Sequence, residues 1–447
     1  MKANSMRKKP IITIASQPAQ VHSLSQEGRG IATVLGKKTF IEGALPLETV
    51  KYCVLKKRAN YDEALSIEVL KASPERTTPS CRHFGLCGGC SMQHLEVSAQ
   101  VAWKQKILLE QLAHIGQVQP ETLIPALLAS AWEYRHKARL GVRYMKQHHK
   151  VIIGFRKKFR GHLTDLDLCP VLHPQVGKRL PALAILIANL EAQEQIPQIE
   201  VAVGDDQAAL IFRHLIPLSL SDRAKLRDFG LEHQLHIYLQ PNPPESVSLL
   251  WPENQASRLH YRLPDFQMEF RFHPLDFTQI HLEMNRLMVK QAVDLLDPQA
   301  HETVLDLFCG IGNFSLPLAR YAKKVIGIEG NKTMIERAYE NAAHNTLANL
   351  EFHVANLFEP SIQESWFHQT YEKILLDPPR AGAKEIIEHF SRFAPHRLVY
   401  VSCHPATLAR DAYLLVHQQG YRLKQLGIIN MFPHTSHVEA MAVFERH

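Results

Sequence analysis

Two residues late in the chain could do covalent chemistry. Cys403 follows the apolar run RLVYVS, and Glu439 opens the run EAMAVFER after a short polar loop. A thiol at a strand tip can serve as a nucleophile. A carboxylate among apolar neighbours has its proton affinity raised by desolvation, which suits a general base. By type alone, Cys403 could equally be a small buried hydrophobe and Glu439 a strand-end ion pair. Position separates these readings. The carboxyl ends of parallel strands converge on a ligand crevice, so the thiol is expected to face the loop DPPR at Asp377–Arg380. There a rigid Pro-Pro beside a carboxylate fits a site for a flat base.

A third motif, DLFCGIGNF, covers Asp306–Phe314. Its glycines let the backbone pass close to a ligand at a helix N-terminus. It is not a complete GxGxxG, because position 315 is Ser. Glu329 ends the next apolar strand, where a carboxylate can grip ribose hydroxyls. No Walker lysine is present, so a nucleoside triphosphate is disfavoured. A dinucleotide and a nucleoside cofactor without phosphates both remain open on this pattern.

Cysteines form a separate constellation. Cys81, Cys87 and Cys90 cluster around Gly88-Gly89, and Cys169-Pro170 follows far downstream. Three thiols plus a distant fourth can close a tetrahedral site, and on spacing both zinc and an iron–sulfur cluster fit. A redox CxxC pair is a third option, but no thioredoxin-like βαβ surrounds it. The Gly-Gly and the proline after the fourth cysteine lean towards a cluster. Cys53 and Cys309 read as packing residues. The 26 histidines show no metal-ligand spacing, and His434 and His437 read as shaping the loop before Glu439.

These residues need elements to hold them. The chain has 447 residues, 45% hydrophobic and 21% charged, ordinary values for a globular protein of about three domains. No apolar run reaches transmembrane length, and IITIA is too short for a signal-peptide core. Seven cysteines are sparse and odd in number, which fits a reducing compartment, so a cytoplasmic location is expected. Residues 11–72 read as five or so short strands, a small barrel of the OB type over 1–74. Residues 75–265 read as a central α+β domain. It holds the cysteine-rich irregular segment, an amphipathic helix at 99–117 (Val101, Ile107, Leu108, Leu112), a basic hairpin at 137–160, a helix near 176–193 and a loop at 240–252. From about 266 strands and helices alternate, the signature of a doubly wound Rossmann-like parallel sheet. Its strands are 303–308, 324–329, 350–355, 373–379 and 397–403, and a terminal hairpin adds an antiparallel last strand.

The net charge is +7, unevenly spread. Residues 1–60 carry eleven Lys/Arg against three Glu, and residues 135–160 carry ten Lys/Arg and no acid. Tyr144, Phe155 and Phe159 interleave the second island. Cations hold phosphates and aromatics stack unpaired bases, so a nucleic-acid partner is expected.

A thiolate, a base and a nucleoside-cofactor fold suit one chemical problem. Carbon 5 of uracil is a poor nucleophile. Thiolate addition to carbon 6 makes an enolate whose carbon 5 can attack a methyl group, and a base then removes the carbon 5 proton.

FTQIH (277–281), DLFCGIGNF (306–314), DPPR (377–380), SCHPATLARD (402–411) and HVE (437–439) resemble the motifs of the RNA (uracil-C5)-methyltransferases. The N-terminal segment is similar to their TRAM barrel, an RNA-binding module. The resemblance covers nearly the whole chain and is closest to the members acting on 23S rRNA. It implies a class I methyltransferase domain over 266–447. Gln279, Phe308, Asn313, Glu329, Asn356 and Asp377 would contact S-adenosylmethionine. Cys403 would be the nucleophile and Glu439 the proton acceptor. It also implies a [4Fe-4S] cluster on Cys81, Cys87, Cys90 and Cys169, and a specific uracil of 23S rRNA as substrate. The same reaction at another rRNA site or on tRNA is the alternative, although a tRNA-directed relative is expected to lack both the barrel and the four cysteines. A non-catalytic RNA-binding or redox-sensing protein is a rival of another class. An amino-methylating DNA enzyme is disfavoured, since Arg380 stands where those enzymes carry an aromatic. No membrane and no obligatory protein partner are expected, and the chain is expected to be a monomer. His404 and His281 stand where family members often have Asn.

Overall fold

The computed structural model describes residues 13–446 apart from 16, 160, 242–245 and 254–257. The cations at 2, 7, 8, 9 and 160, and parts of the predicted first strand and of the 240–252 loop, lie outside the described residues. The chain forms two compact units, residues 1–102 with 434–436, and residues 103–433 with 437–447.

The first unit contains the expected barrel. Strands β2 (Ala19–Leu24), β3 (Gly30–Val34), β4 (Lys37–Glu42), β5 (Thr49–Lys57) and β6 (Tyr61–Lys71) close in the order β5-β2-β3-β4-β6, with β6 pairing back to β5. A short β1 (Thr13–Ile14) adds to the free part of β5. Period-two alternation puts Val21, Ala32, Ile41, Val50, Tyr52 and Ala64 inside. Cys53 is buried too, consistent with packing. The Leu35-Gly36 hairpin has both residues at positive φ, 48° and 78°, as a two-residue turn between twisted strands requires. Fully buried Glu48 accepts hydrogen bonds from the N–H groups of Leu45 (2.8 Å) and Ser73 (3.2 Å) and is gripped by Arg76 (2.5 and 2.8 Å). That carboxylate ties the barrel to the irregular segment after it. The basic surplus of residues 1–60 is partly compensated just beyond that window. Lys37 pairs with Asp62 (2.7 Å), Lys51 with Glu68 (2.8 Å) and Arg58 with Glu63 (3.6 Å).

In the second unit, β8 (Lys137–Met145), β9 (Lys150–Gly154), β10 (Gln198–Val203), β11 (Ala208–Arg213), β12 (Leu235–Gln240) and β13 (Ser248–Trp251) form a sheet ordered β13-β12-β11-β10-β8-β9, after a two-residue β7 (Thr122–Leu123) that belongs elsewhere. The basic hairpin is therefore real: β8 and β9 pair antiparallel. Its charges are less available than their count suggests. Arg139 pairs with Glu200 (3.1 Å), Lys146 with Glu194 (2.7 Å) and Lys150 with Asp165. Residues 248–251, expected in a loop, pair as an edge strand with β12. The helix expected at 99–117 runs Val97–Gln111 and continues as a wider turn over Leu112–Gly116.

A hairpin of β14 (Leu259–Leu263) and β15 (Met268–Phe272) precedes the last sheet. Its Tyr261, Phe270 and Phe272 join the core formed by the helix Leu282–Leu296 and the sheet behind it. The last sheet contains β16 (Thr303–Leu307), β17 (Lys324–Glu329), β18 (Leu350–Val354), β19 (Lys373–Leu376), β20 (Arg397–Ser402), β21 (Tyr421–Ile429) and β22 (Glu439–Arg446). Its order is β18-β17-β16-β19-β20-β22-β21-β7. The first five strands in that order are parallel, and β22 runs antiparallel to both neighbours. The strand order reverses between β16 and β19, so a ligand crevice is expected at their carboxyl ends. Because β22 is antiparallel, its first residue, Glu439, arrives at that same edge.

Among the described residues no helix is long and apolar enough to cross a membrane.

Candidate active site

The loop after β16 is shaped by backbone as much as by side chains. Phe308 takes φ 65°, rare for a non-glycine residue, and its ring is half-exposed beside Phe358 at 5.8 Å. Gly312 has φ 87°, and a Cβ there would lie 2.4 Å from a Leu316 methyl. The glycine is thus required both by conformation and by space. Asp306 is fully buried; its Oδ2 accepts from the Ser315 hydroxyl at 2.5 Å, while Oδ1 has no protein partner. Burial pushes its carboxyl up to about 8, against the lowering effect of Ser315.

Glu329, at the end of β17, accepts from the backbone N–H of Gly310 (3.3 Å) and of Asn331 (2.9 Å). The carboxylate therefore sits against the glycine loop, as the spacing suggested. Asn313 exchanges amide hydrogen bonds with Asn285 (2.9 and 3.0 Å) and accepts from the Tyr261 hydroxyl (2.8 Å). Both lone pairs of its oxygen are used inside the protein, which pins the loop to the helix Leu282–Leu296 and to β14. Neither Tyr261 nor Asn285 was singled out from the sequence, because a tyrosine in a short strand and an asparagine inside a helix carry no motif. Asn356 is exposed, and its Oδ1 accepts from the Phe358 N–H at 3.1 Å. Gln279 is half-buried and makes no hydrogen bond among the described residues. Its loop is anchored upstream, where Lys137 donates to the carbonyls of Pro274 (2.8 Å) and Asp276 (2.6 Å) and Arg337 donates to the Asp276 carboxylate (3.0 Å). Lys137, counted among the cations of the basic hairpin, is thus occupied internally.

Asp377 follows β19 directly, and its N–H donates to the Leu307 carbonyl at 3.3 Å. Burial raises its carboxyl to about 7. Cys403 follows β20 directly. Ser402 is paired with Ala440 across the β20–β22 ladder, so Cys403 and Glu439 stand one residue beyond the same pair. Glu439 is 4% exposed, and burial, reinforced by Asp377 and opposed by Lys104, puts its carboxyl at about 8. The half-exposed Cys403 thiol is pushed up to about 11 by burial first and then by Glu439 and Asp377, with Arg380 acting in the opposite sense. Three acids thus share one edge: Asp377 makes both Glu439 and Cys403 harder to ionise, and Glu439 adds to the effect on Cys403. Arg380 itself reaches His437 Nδ1 at 2.6 Å.

His404 and His281 both cap helices. His404 Nδ1 accepts from the Thr407 N–H (3.4 Å) at the helix Pro405–Tyr413, and His281 Nδ1 accepts from the Met284 N–H (3.3 Å) at the helix Leu282–Leu296. A ring nitrogen here does what an asparagine oxygen does at an N-cap. His281 also donates through Nε2 to the Ser130 carbonyl at 2.9 Å.

The cysteine constellation divides between the units: Cys81, Cys87 and Cys90 belong to the first and Cys169 to the second. None of the seven cysteines is in a disulfide. Cys87 Sγ accepts from the Gly89 N–H at 3.4 Å. Among the described residues no group of three or more His, Cys, Asp or Glu is gathered as a metal-ligand set.

A family model described as tRNA (Uracil-5-)-methyltransferase matches residues 253–447. Relatives named 23S rRNA (uracil(1939)-C(5))-methyltransferase RlmD match nearly end to end. The Nitrosococcus oceani protein is 49% identical over 446 residues, 99% of each chain. The Hahella chejuensis protein is 48% identical over 432 residues, 96% of each chain. The chain belongs to the RlmD family. The fold agrees: the crystal structure of Pyrococcus abyssi tRNA (uracil-54, C5)-methyltransferase in complex with S-adenosyl-L-homocysteine superimposes with a TM-score of 0.72 at 23% identity, covering 96% of this chain and 100% of that one.

Proposed function

We propose that this chain methylates carbon 5 of a uracil in 23S rRNA, the base numbered in the RlmD relatives' name, with S-adenosylmethionine as donor. The observation that carries the reading is the Cys403–Glu439 juxtaposition, set by the Ser402–Ala440 pair at the edge where β16 and β19 diverge.

Cofactor-binding roles are assigned to Gln279, Phe308, Asn313, Glu329, Asn356 and Asp377. The residues fit a nucleoside. The Gln279 amide is unengaged among the described residues, the Phe308 ring is half-exposed, and the Glu329 carboxylate is presented by two backbone N–H groups. When bound, S-adenosylmethionine supplies an electrophilic methyl group.

Cys403, as thiolate, bonds to carbon 6 of the uracil, and the ring electrons move to carbon 5 and the carbonyl. Carbon 5, so activated, would accept the methyl group that bound S-adenosylmethionine supplies, the carbon–sulfur bonding pair staying with the donor's sulfur. Glu439 accepts the carbon 5 proton, and the returning electrons expel the Cys403 thiolate. The proton from carbon 5 is the net proton released per turnover. The thiol must be ionised against Asp377 and Glu439, and the Arg380 guanidinium lowers that cost. The base must leave its stack to reach the sulfur.

The barrel, assigned as residues 1–74, and the hairpin of the central domain, residues 75–265, are assigned to RNA binding; the methyl-transfer domain is 266–447. Arg143 and Arg156 are exposed without an ion pair among the described residues, and Phe159 is half-exposed, as stacking on a nucleic acid needs.

A [4Fe-4S] cluster on Cys81, Cys87, Cys90 and Cys169 completes the proposal. The donor chemistry suits it, with four thiols outside any disulfide and an N–H bond to one sulfur. Its assigned task is structural.

The test is incubation with labelled S-adenosylmethionine and unmodified 23S rRNA, followed by mapping of methylated uridines. A single 5-methyluridine at the relatives' position is expected. Methylation of tRNA alone, or of no RNA, contradicts the reading.

A further inference from the structure

Lys104 is 0% exposed, although it lies in a helix otherwise studded with polar residues. Its Nζ donates to Asn430 Oδ1 at 2.8 Å and to the Phe432 carbonyl at 3.0 Å. Both acceptors are uncharged, and the lysine forms no ion pair among the described residues. A fully buried ammonium is costly unless a negative charge compensates it.

The segment it grips locates that charge. Ile429 is the cross-strand partner of Glu439, so Asn430 begins the connection that returns as Glu439. Two of the three ammonium hydrogens hold this connection, and the charge acts on the carboxylate at its far end. The coupling is mutual. Burial draws the Lys104 ammonium down to about 7, and Glu439 opposes that; Lys104 in turn holds the Glu439 carboxyl below the level set by burial and Asp377. The other charged or titratable groups around Glu439 are Asp377, which disfavours its ionised form, and the Cys403 thiol. Arg380 acts on Cys403 and on His437. Burial takes His437 down to about 4, with Arg380, Lys104 and Arg135 acting in the same sense, so it is neutral.

We propose that Lys104 is a positioning residue of methyl transfer. Its ammonium favours the ionised form of Glu439 needed for proton abstraction, and its hydrogen bonds hold the Asn430–Phe432 segment that carries the carboxylate to the sheet edge. The same charge favours release of the abstracted proton after turnover. This inference rests on the reading of Glu439 as the base.

Lys104→Gln keeps an N–H donor and removes the charge; Lys104→Met keeps the length and removes both, and serves if the first variant does not fold. The full-length protein is assayed for kcat and KM on a 23S rRNA fragment across pH, with melting and S-adenosylmethionine binding as controls of folding. Expected is a loss in kcat of about tenfold or more at neutral pH, little change in KM, and an acid limb moved up by about one pH unit or more, so that activity recovers in alkali. A loss equal at every pH, or no loss, overturns the proposal. Glu439→Gln separates the two readings. If it turns over normally, the base assignment fails and takes this inference with it. If it is inactive while the limb in the Lys104 variants is unmoved, the base stands and the role of Lys104 falls.

Discussion

Cys403 and Glu439 stand one residue beyond the same cross-strand pair, Ser402 with Ala440, on neighbouring antiparallel strands. Nothing in their separation along the chain requires this. It follows from placing one antiparallel strand, β22, between β20 and β21, which brings a strand beginning to an edge otherwise made of strand ends.

Removing the sulfur tests the nucleophile. Cys403→Ala is expected to lower methylation on the order of 10⁴-fold or more and to leave melting nearly unchanged, since the side chain is half-exposed. Turnover assays and a thermal melt decide this together. Substantial residual turnover counts against covalent catalysis.

Glu439→Gln should separate adduct formation from its resolution. The thiol can still add to carbon 6, and with the carbon 5 proton retained the adduct accumulates. Gel-shifted protein–RNA species resistant to denaturation are the readout. A variant that makes product without such species argues for another base.

The raised carboxyl of Glu439 also predicts a pH dependence of stability. Its folded value of about 8 lies above the ordinary value of 4.5 for a glutamate carboxyl. Between these values the folded state holds the proton more tightly than the unfolded state, so this group's stabilising contribution is full below about 4.5 and declines as pH rises to about 8. Asp377 acts in the same direction, from 3.8 to about 7. Denaturant unfolding of Glu439→Gln should show a shallower decline across this window, with a difference from the parent on the order of a few kcal/mol. Parallel curves for the two proteins would falsify the assignment of the raised value to Glu439.

Gly312→Ala is expected to destabilise by about 1–3 kcal/mol and to weaken S-adenosylmethionine binding. The cause is its φ of 87° and the Leu316 methyl 2.4 Å from the added carbon. Calorimetric titration with unfolding curves reads both effects. Unchanged binding would mean that the loop backbone does not approach the ligand.

An anaerobic preparation is expected to contain iron and sulfide, and Cys87→Ala to lose both. Stoichiometric zinc in place of iron would contradict the cluster.

Much of this was legible in the chain. Strands 303–403 announce themselves because buried parallel strands are continuous apolar runs, and the residues proposed to react stand at their ends. Glycine spacing marked the loop to which cofactor binding is assigned, and the short loop between the last two strands gave the antiparallel hairpin. The rest depended on long-range partners. Strand β13 is a four-residue edge strand beside a proline-rich stretch and reads as loop until β12 is there to pair with it. Lys104 counts as a surface lysine in a helical pattern; only Asn430 and Phe432, more than three hundred residues away, make it an interior one. The basic islands looked stronger than they are because Asp62, Glu63, Glu68, Asp165, Glu194 and Glu200 pair with them from outside the windows counted.

The most direct test uses a 23S rRNA fragment carrying 5-fluorouridine at the target position, incubated with the protein and S-adenosylmethionine, then digested and analysed by mass spectrometry. Fluorine cannot leave as a proton does, so the adduct should be trapped. The account predicts a methylated fluorouridine attached to the peptide containing Cys403 and no adduct in Cys403→Ala. An adduct on a different cysteine, or one that persists in Cys403→Ala, contradicts it.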